Sequence, residues 1–208
     1  QYDSGDIQII AGDFNDNALA LERVSAVDGQ PVAELFQNRM RALGIAANHV
    51  TGSWLVFGEL GWHANRVARP TERSVAFSAD GWVKKDQLLG VLGIEYSGFR
   101  DLLLTAELDG QRIRDNAPFG YGDGTLVSLG LRARWTGLNE RLQVLAVVNE
   151  LAEDQGRVAR ASVDYDWSDS VNLGLMWVGY SAPDNSLVNP FQHNDVLQVQ
   201  LSYSFQSP

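Results

Sequence analysis

No cysteine occurs in the 208 residues. That excludes a disulfide framework and any thiolate metal site, and favours an oxidising compartment only weakly. Lysine is almost as scarce, with Lys84 and Lys85 the only two. Lys and Arg together number 16 against 26 Asp and Glu, giving a net charge of -10. A nucleic-acid partner is not expected, because phosphate binding needs clustered cations. No apolar run of about eighteen residues exists, which excludes a transmembrane helix. The chain begins at Gln1 without Met, so it is expected to be a processed mature protein or a fragment. The 45% hydrophobic content is ordinary for a folded domain and far too high for disorder.

What the sequence has in abundance is alternation. The closing segment LQVQLSYSF sets Leu197, Val199, Leu201, Tyr203 and Phe205 against Gln198, Gln200, Ser202 and Ser204. Such a period of two means a strand with one apolar and one polar face. RVARASVDYDW sets Ala159, Ala161, Val163, Tyr165 and Trp167 against Arg160, Ser162, Asp164 and Asp166. TLVSLGLRARW, DLLLTAELDGQ and SWLVFGELGWH follow the same rule, and 87–97, 140–151 and 170–180 follow it less strictly. Strands near 5–13 and 38–49 complete a set of ten. The second of these is ambiguous, because VAELFQNRMRALG also places Val32, Leu35, Phe36, Met40 and Leu43 at helical spacing.

Connections alternate between short, at 50–53, 97–100, 136–139 and 168–169, and long, at 64–86, 112–124 and 181–195, with a modest one near 152–156. Asp80-Gly81 is a hairpin signal inside the first long loop, and VAFSA with GWVKK is read there as a protruding extension. Short-then-long is the rhythm of an up-and-down transmembrane β-barrel with short periplasmic turns and longer extracellular loops. The predicted fold is therefore all-β, an antiparallel up-and-down barrel of about ten strands. It forms a single domain over 1–208, or the C-terminal portion of a larger barrel. Aromatic residues gather at the short-turn ends, with Trp54, Tyr96, Phe99, Trp135, Tyr165, Trp167, Tyr203 and Phe205 placed to form an interfacial girdle. A second group, Trp62, Phe119, Tyr121, Trp177 and Tyr180, lies near the long-loop ends. The polar face would line the lumen with Glu59, Glu95, Glu107, Asp109, Arg132, Arg134, Arg160, Asp164, Asp166, Gln198 and Gln200. A soluble barrel with an apolar interior is the competing reading of the same alternation.

LSYSF looks like the C-terminal strand of Gram-negative outer-membrane β-barrels, although three residues follow Phe205 here. RMRALGIAANHVTGSWLVFGELGW and DQLLGVLGIEYSGFRDLLLTAELDGQRI are similar to a poorly characterised proteobacterial porin-like family. The resemblance spans roughly 39–205, and its motifs are loose patterns without catalytic residues. It implies an outer-membrane location, lipid and the barrel assembly machinery as partners, and passage of small solutes, hydrophobic ones among them.

Chemistry is thinly signposted. His49, His63 and His193 are the three histidines. His63 follows Glu59 by four residues, about 13 Å along a strand and too far for a direct pair. QHND, around His193, is the candidate for a rim hydrolase, the alternative to a channel; the plainer reading is a loop histidine. Asp164 and Asp166 could hold a cation, but are expected to balance Arg132, Arg134, Arg141 and Arg160 across neighbouring strands. DFNDN (13–17) and YGDGT (121–125) resemble pieces of calcium loops without the closing Glu and read as turns. No catalytic residue, metal ligand or cofactor is predicted. The expected function is passive passage of small solutes, gated at the outer mouth by the loops 64–86 and 181–195.

Overall fold

The computed structural model of the chain describes residues 4–28, 30–68, 83–114, 125–184 and 186–205. Ten strands follow one another: β1 (Ser4–Val27), β2 (Gln30–Thr51), β3 (Trp54–Ala68), β4 (Val83–Phe99), β5 (Leu102–Ile113), β6 (Thr125–Gly137), β7 (Leu142–Leu151), β8 (Gly156–Ser168), β9 (Val171–Ser181) and β10 (Val196–Tyr203). They form one antiparallel sheet whose spatial order is the chain order. The connections β2–β3, β4–β5, β6–β7 and β8–β9, of two to four residues, fall at one end of this meander; the other end carries the three long ones, β3–β4, β5–β6 and β9–β10, together with the short β1–β2 and β7–β8 connections.

Several expectations change. β1 and β2 are longer than predicted, because VAELFQNRMRALG continues β2 instead of turning into a helix. Pairing with β1 overrides the helical spacing there: from Gln37 to Val50 exposed and less exposed residues alternate singly. DFNDN is strand, not turn, with Asp13, Phe14 and Asn15 paired to Arg41, Met40 and Arg39. β2 pairs with β3 only from Arg41 onward, so Gln30–Met40 and the facing part of β1 form a two-stranded ribbon about 30 Å long. The first long loop is shorter than predicted, since β3 reaches Ala68 and β4 resumes at Val83. VAFSA lies outside the described residues, as do 121–124 of YGDGT, whereas Val83–Lys85 of GWVKK opens β4. The predicted closure is not present: β1 and β10 are the two edges of the sheet and do not pair with each other. Alternation reports which face a residue takes, not which distant strand lies beside it.

Register extends one apolar face across the sheet. Trp54–Trp62, Leu88–Tyr96, Leu102–Gly110, Val127–Trp135, Ala159–Trp167, Val171–Gly179 and Leu197–Phe205 each put only apolar, aromatic or glycine residues on that face. Each stretch is about 27 Å long along its strand. Beyond it, toward the long loops, the same alternation brings charges: Asp13, Arg41, Asp86, Arg112, Glu150 and Arg157.

The strands are also staggered. A row of cross-strand partners starts at Thr51, beside a short turn, and passes Trp54, Tyr96, Leu104, Ala133, Ala146, Ala161 and Trp177. It ends at Leu197, beside the last long loop. The slip is about one residue, or 3.3 Å, for each 4.8 Å step between strands, so the strands tilt by about 35°.

Burial is reversed from that of a water-soluble protein. The most enclosed side chains are Asn38 and Gln87, at 1% and 2% exposure, and Thr105 and Ser162 are also buried. Among the described residues only Ala64 and Val188 are buried apolar side chains. Val199 is 77% exposed and Leu201 70%, with Leu92, Leu131 and Leu175 also exposed.

The last long connection is fastened to its neighbour. It carries a single 3-10 turn, Asn189–Phe191. The Leu187 N–H donates to Gln155 Oε1 at 3.2 Å and the Val188 N–H to the Gln155 carbonyl at 3.2 Å. Val188 packs over Gly156, whose φ of 110° and lack of Cβ permit the approach. Gln155→Ala removes one of the two hydrogen bonds. Amide exchange at Leu187 and its neighbours is expected to rise by roughly fivefold, since such a bond contributes about 1 kcal/mol locally. Hydrogen–deuterium exchange of 182–195 measures this.

Candidate functional site

The second face holds what chemistry the chain offers. Register sets Glu59, Glu95, Glu107, Asp109, Arg132, Arg134, Arg160, Asp164, Asp166, Gln198 and Gln200 all on this face. The acids Glu59, Glu95, Glu107 and Asp109 sit on β3–β5 and the bases Arg132, Arg134 and Arg160 on β6 and β8. At the border Arg132 reaches Glu95 at 3.8 Å and donates to Thr105 Oγ1 at 3.3 Å. Thr105 Oγ1 in turn donates to Glu95 at 3.3 Å. Both charged groups keep water contact, so the pair contributes no more than about 1 kcal/mol.

The expected balance of Asp164 and Asp166 against the arginines is not found. Arg141 instead donates to the carbonyls of Asp166 and Trp167, closing the β8 end, and stands 5.5 Å from the Tyr165 ring. Asp166 accepts from Asn172 Nδ2 at 2.9 Å. The reason is register: Arg132 lies opposite Thr105, beside Glu95, and Arg134 lies opposite Leu103 and Leu145.

At the loop end of β2–β5 two runs of hydrogen bonds, joined through the Asn65–Arg66 peptide, tie the strands together. A bulge between His63 and Arg66 puts Asn65 at φ 61°, a conformation Asn tolerates. Asn38 Nδ2 donates to the Asn65 carbonyl at 2.6 Å, and the Asn65 N–H donates to Asp86 at 3.4 Å. Arg66 donates to Gln87 Oε1, and Gln87 Nε2 to Gln111 Oε1 at 3.1 Å. Asn38 Oδ1 and His63 Nδ1 are buried without a hydrogen-bond partner.

Sequence reasoning missed that this face carries an apolar patch in the middle of β1–β4. Ile10, Leu55, Phe57, Leu89 and Val91 share it with Glu59, beside the small residues Ala42, Gly44, Ala46, Gly61 and Gly93. The signal was there: in LVFGEL both alternating sets are apolar until Glu59. Over Ala42, Gly44, Ala46 and Gly61 lies a hollow of about 640 Å³.

The aromatic residues stand on the opposite, apolar face at the short-turn end. Trp54 and Tyr96 pack with ring centres 4.4 Å apart, and Phe99 meets Tyr96 at 5.2 Å. Tyr165 meets Trp167 at 6.2 Å and Tyr203 stacks on Phe205 at 6.3 Å. Trp135 lies opposite Leu102 in the same band. Tyr96, Trp135 and Trp177 fold their rings over Gly98, Gly137 and Gly179 on their own strands.

His193 is exposed, and Asp195 accepts the Tyr180 N–H at 3.0 Å. His63 lies opposite Gln87, and among the described residues no histidine hydrogen-bonds a carboxylate. No group of three or more His, Asp or Glu among them could hold a metal ion. No protein-family model, curated protein or solved structure matches the chain.

Proposed function

We propose that the sheet is the wall of an outer-membrane β-barrel of a Gram-negative bacterium, serving passive passage or binding of small solutes. One observation carries this: the apolar face is exposed while the polar face holds the buried side chains. In water each exposed Leu or Ile forgoes about 1.5–3 kcal/mol of burial, and a patch this broad has no counterpart on soluble monomers. Against lipid the cost disappears. The uncharged stretches have the length of membrane-spanning strands, about 9–11 residues. The tilt of about 35° matches strands that close into a barrel, and the aromatic row sits where a bilayer interface requires one.

Closure follows from the edges. Unpaired N–H and C=O groups cost several kcal/mol each in hydrocarbon, so β1 and β10 must find partners there, in each other or in further strands. Ten strands enclose a lumen mostly filled by side chains. Gly44, Gly61, Ala42 and Ala46 leave the free space beside β1–β4, facing the charged wall of β5–β8. A narrow path with one apolar and one charged side suits small solutes, including partly apolar ones. Refolding into detergent, with gel mobility compared before and after boiling, followed by conductance in planar bilayers, tests the reading. A heat-dependent shift and discrete conductance are expected. A folded monomer in plain buffer would overturn it.

A further inference from the structure

We infer that the hollow on β1–β4 is a binding site for a small organic cation with an apolar body. Gly44 and Gly61 leave its floor as bare backbone, Ile10, Leu89 and Val91 form apolar walls, and Glu59, His63 and the neutral amide of Gln8 supply the polar side chains. About 640 Å³ falls within the range of small-molecule sites, which are mostly apolar with a few placed polar groups.

Glu59 decides the charge. It lies opposite Ala46 on β2 and Val91 on β4, with Phe57 and Gly61 flanking it on its own strand and face. Among the described residues it makes no hydrogen bond or ion pair, whereas Glu95 and Glu150 each hold an arginine. No Lys or Arg lines the hollow among those residues. A carboxylate left without a cation on an apolar wall is complementary to an ammonium whose substituents fill that wall. His63 adds to this, since its Nδ1 is buried without a partner and can accept a hydrogen bond from an N–H or O–H. The next acid in the same row, Asp109, is one strand further on, beyond Val91, and does not line the hollow. An anion meets Glu59 as a like charge, and a neutral molecule leaves it unpaired.

This site deepens the barrel reading, because the hollow's face is then the lumen. The test is equilibrium dialysis of the refolded 208-residue protein in non-ionic detergent with radiolabelled benzyltrimethylammonium, corrected against protein-free micelles. Benzenesulfonate and benzyl alcohol are the comparisons. The ammonium is expected to be retained at about one per protein and the sulfonate not at all. Glu59→Gln should weaken retention by about tenfold, and Asp109→Asn should change it by less than about twofold. Each sample is also run unheated and boiled on a gel. A protein that shows the heat shift but binds ammonium and sulfonate alike, binds neither, or is indifferent to E59Q overturns the site and leaves the barrel standing. A protein without the shift overturns both.

Discussion

Leu201→Arg is expected to cost about 2–4 kcal/mol of folding free energy in lipid vesicles, whereas Gln200→Arg costs less than about 1 kcal/mol. Both residues are exposed on β10 and differ only in the face they take. Leu201 is the middle of the uncharged stretch Leu197–Phe205, opposite Leu173 on β9, and so stands at the centre of the band assigned to lipid. A guanidinium there must leave water or drag water in. Gln200, opposite Gly174 and on the face of Asp164, meets other polar groups. A sheet solvated on both faces would treat the two arginines alike. Urea unfolding of each variant from vesicles, followed by tryptophan fluorescence, gives the two values.

The second large effect concerns Phe57 and Gly93. They are direct partners across β3 and β4, and the Phe57 ring lies over Gly93 where a Cβ would stand. Gly93→Ala forces the ring off its rotamer or the strands apart, at an expected cost of about 1–3 kcal/mol. The clash has a single partner. Adding Phe57→Ala to Gly93→Ala is therefore expected to recover most of the loss attributable to G93A, although F57A alone destabilises by removing packing. The double-mutant cycle reads this as a coupling of at least about 1 kcal/mol. Additive costs would mean that the ring does not rest on Gly93.

Legibility in the sequence followed the range of the physics. β3–β10 could be read because each carries its own alternation, and Trp54, Trp135 and Tyr203 mark the ends where the short turns begin. Short turns were legible from residues such as Gly52 and Asp169. The extension of β1 and β2 was not, because VAELFQNRM satisfies helical spacing and only pairing with β1 decides against it. Irregular register between Asn15 and Leu19 further breaks the period there. Burial of Asn38 and Gln87 depends on Asn65, Arg66 and Gln111 from neighbouring strands, which no local pattern reveals. The arginine partners went the same way: charge counting suggested Asp164 and Asp166, and register gave Arg132 to Glu95 instead.

The site was half legible. Charged residues announced themselves by alternating with Leu and Val, so the lumen candidates fall on one face as read. The apolar side of that face was hidden because Leu55 and Phe57 sit between Trp54, Val56 and Leu60, and a continuous apolar run conceals which residue takes which face. Small residues at 42, 44, 46 and 61 define the hollow only when the four strands β1–β4 are laid side by side.

The central claim is that Leu197, Val199 and Leu201 meet lipid while Gln198, Gln200 and Ser202 do not. Because the chain has no cysteine, single cysteines at 197–202 can each carry a nitroxide spin label without removing any native thiol. In vesicles, collision with oxygen, which concentrates in hydrocarbon, should be high at 197, 199 and 201. Collision with a water-soluble nickel chelate should be high at 198, 200 and 202, the two profiles running out of phase with a period of two. Nickel access at 197, 199 and 201 equal to that at their neighbours would place both faces in water and contradict the account.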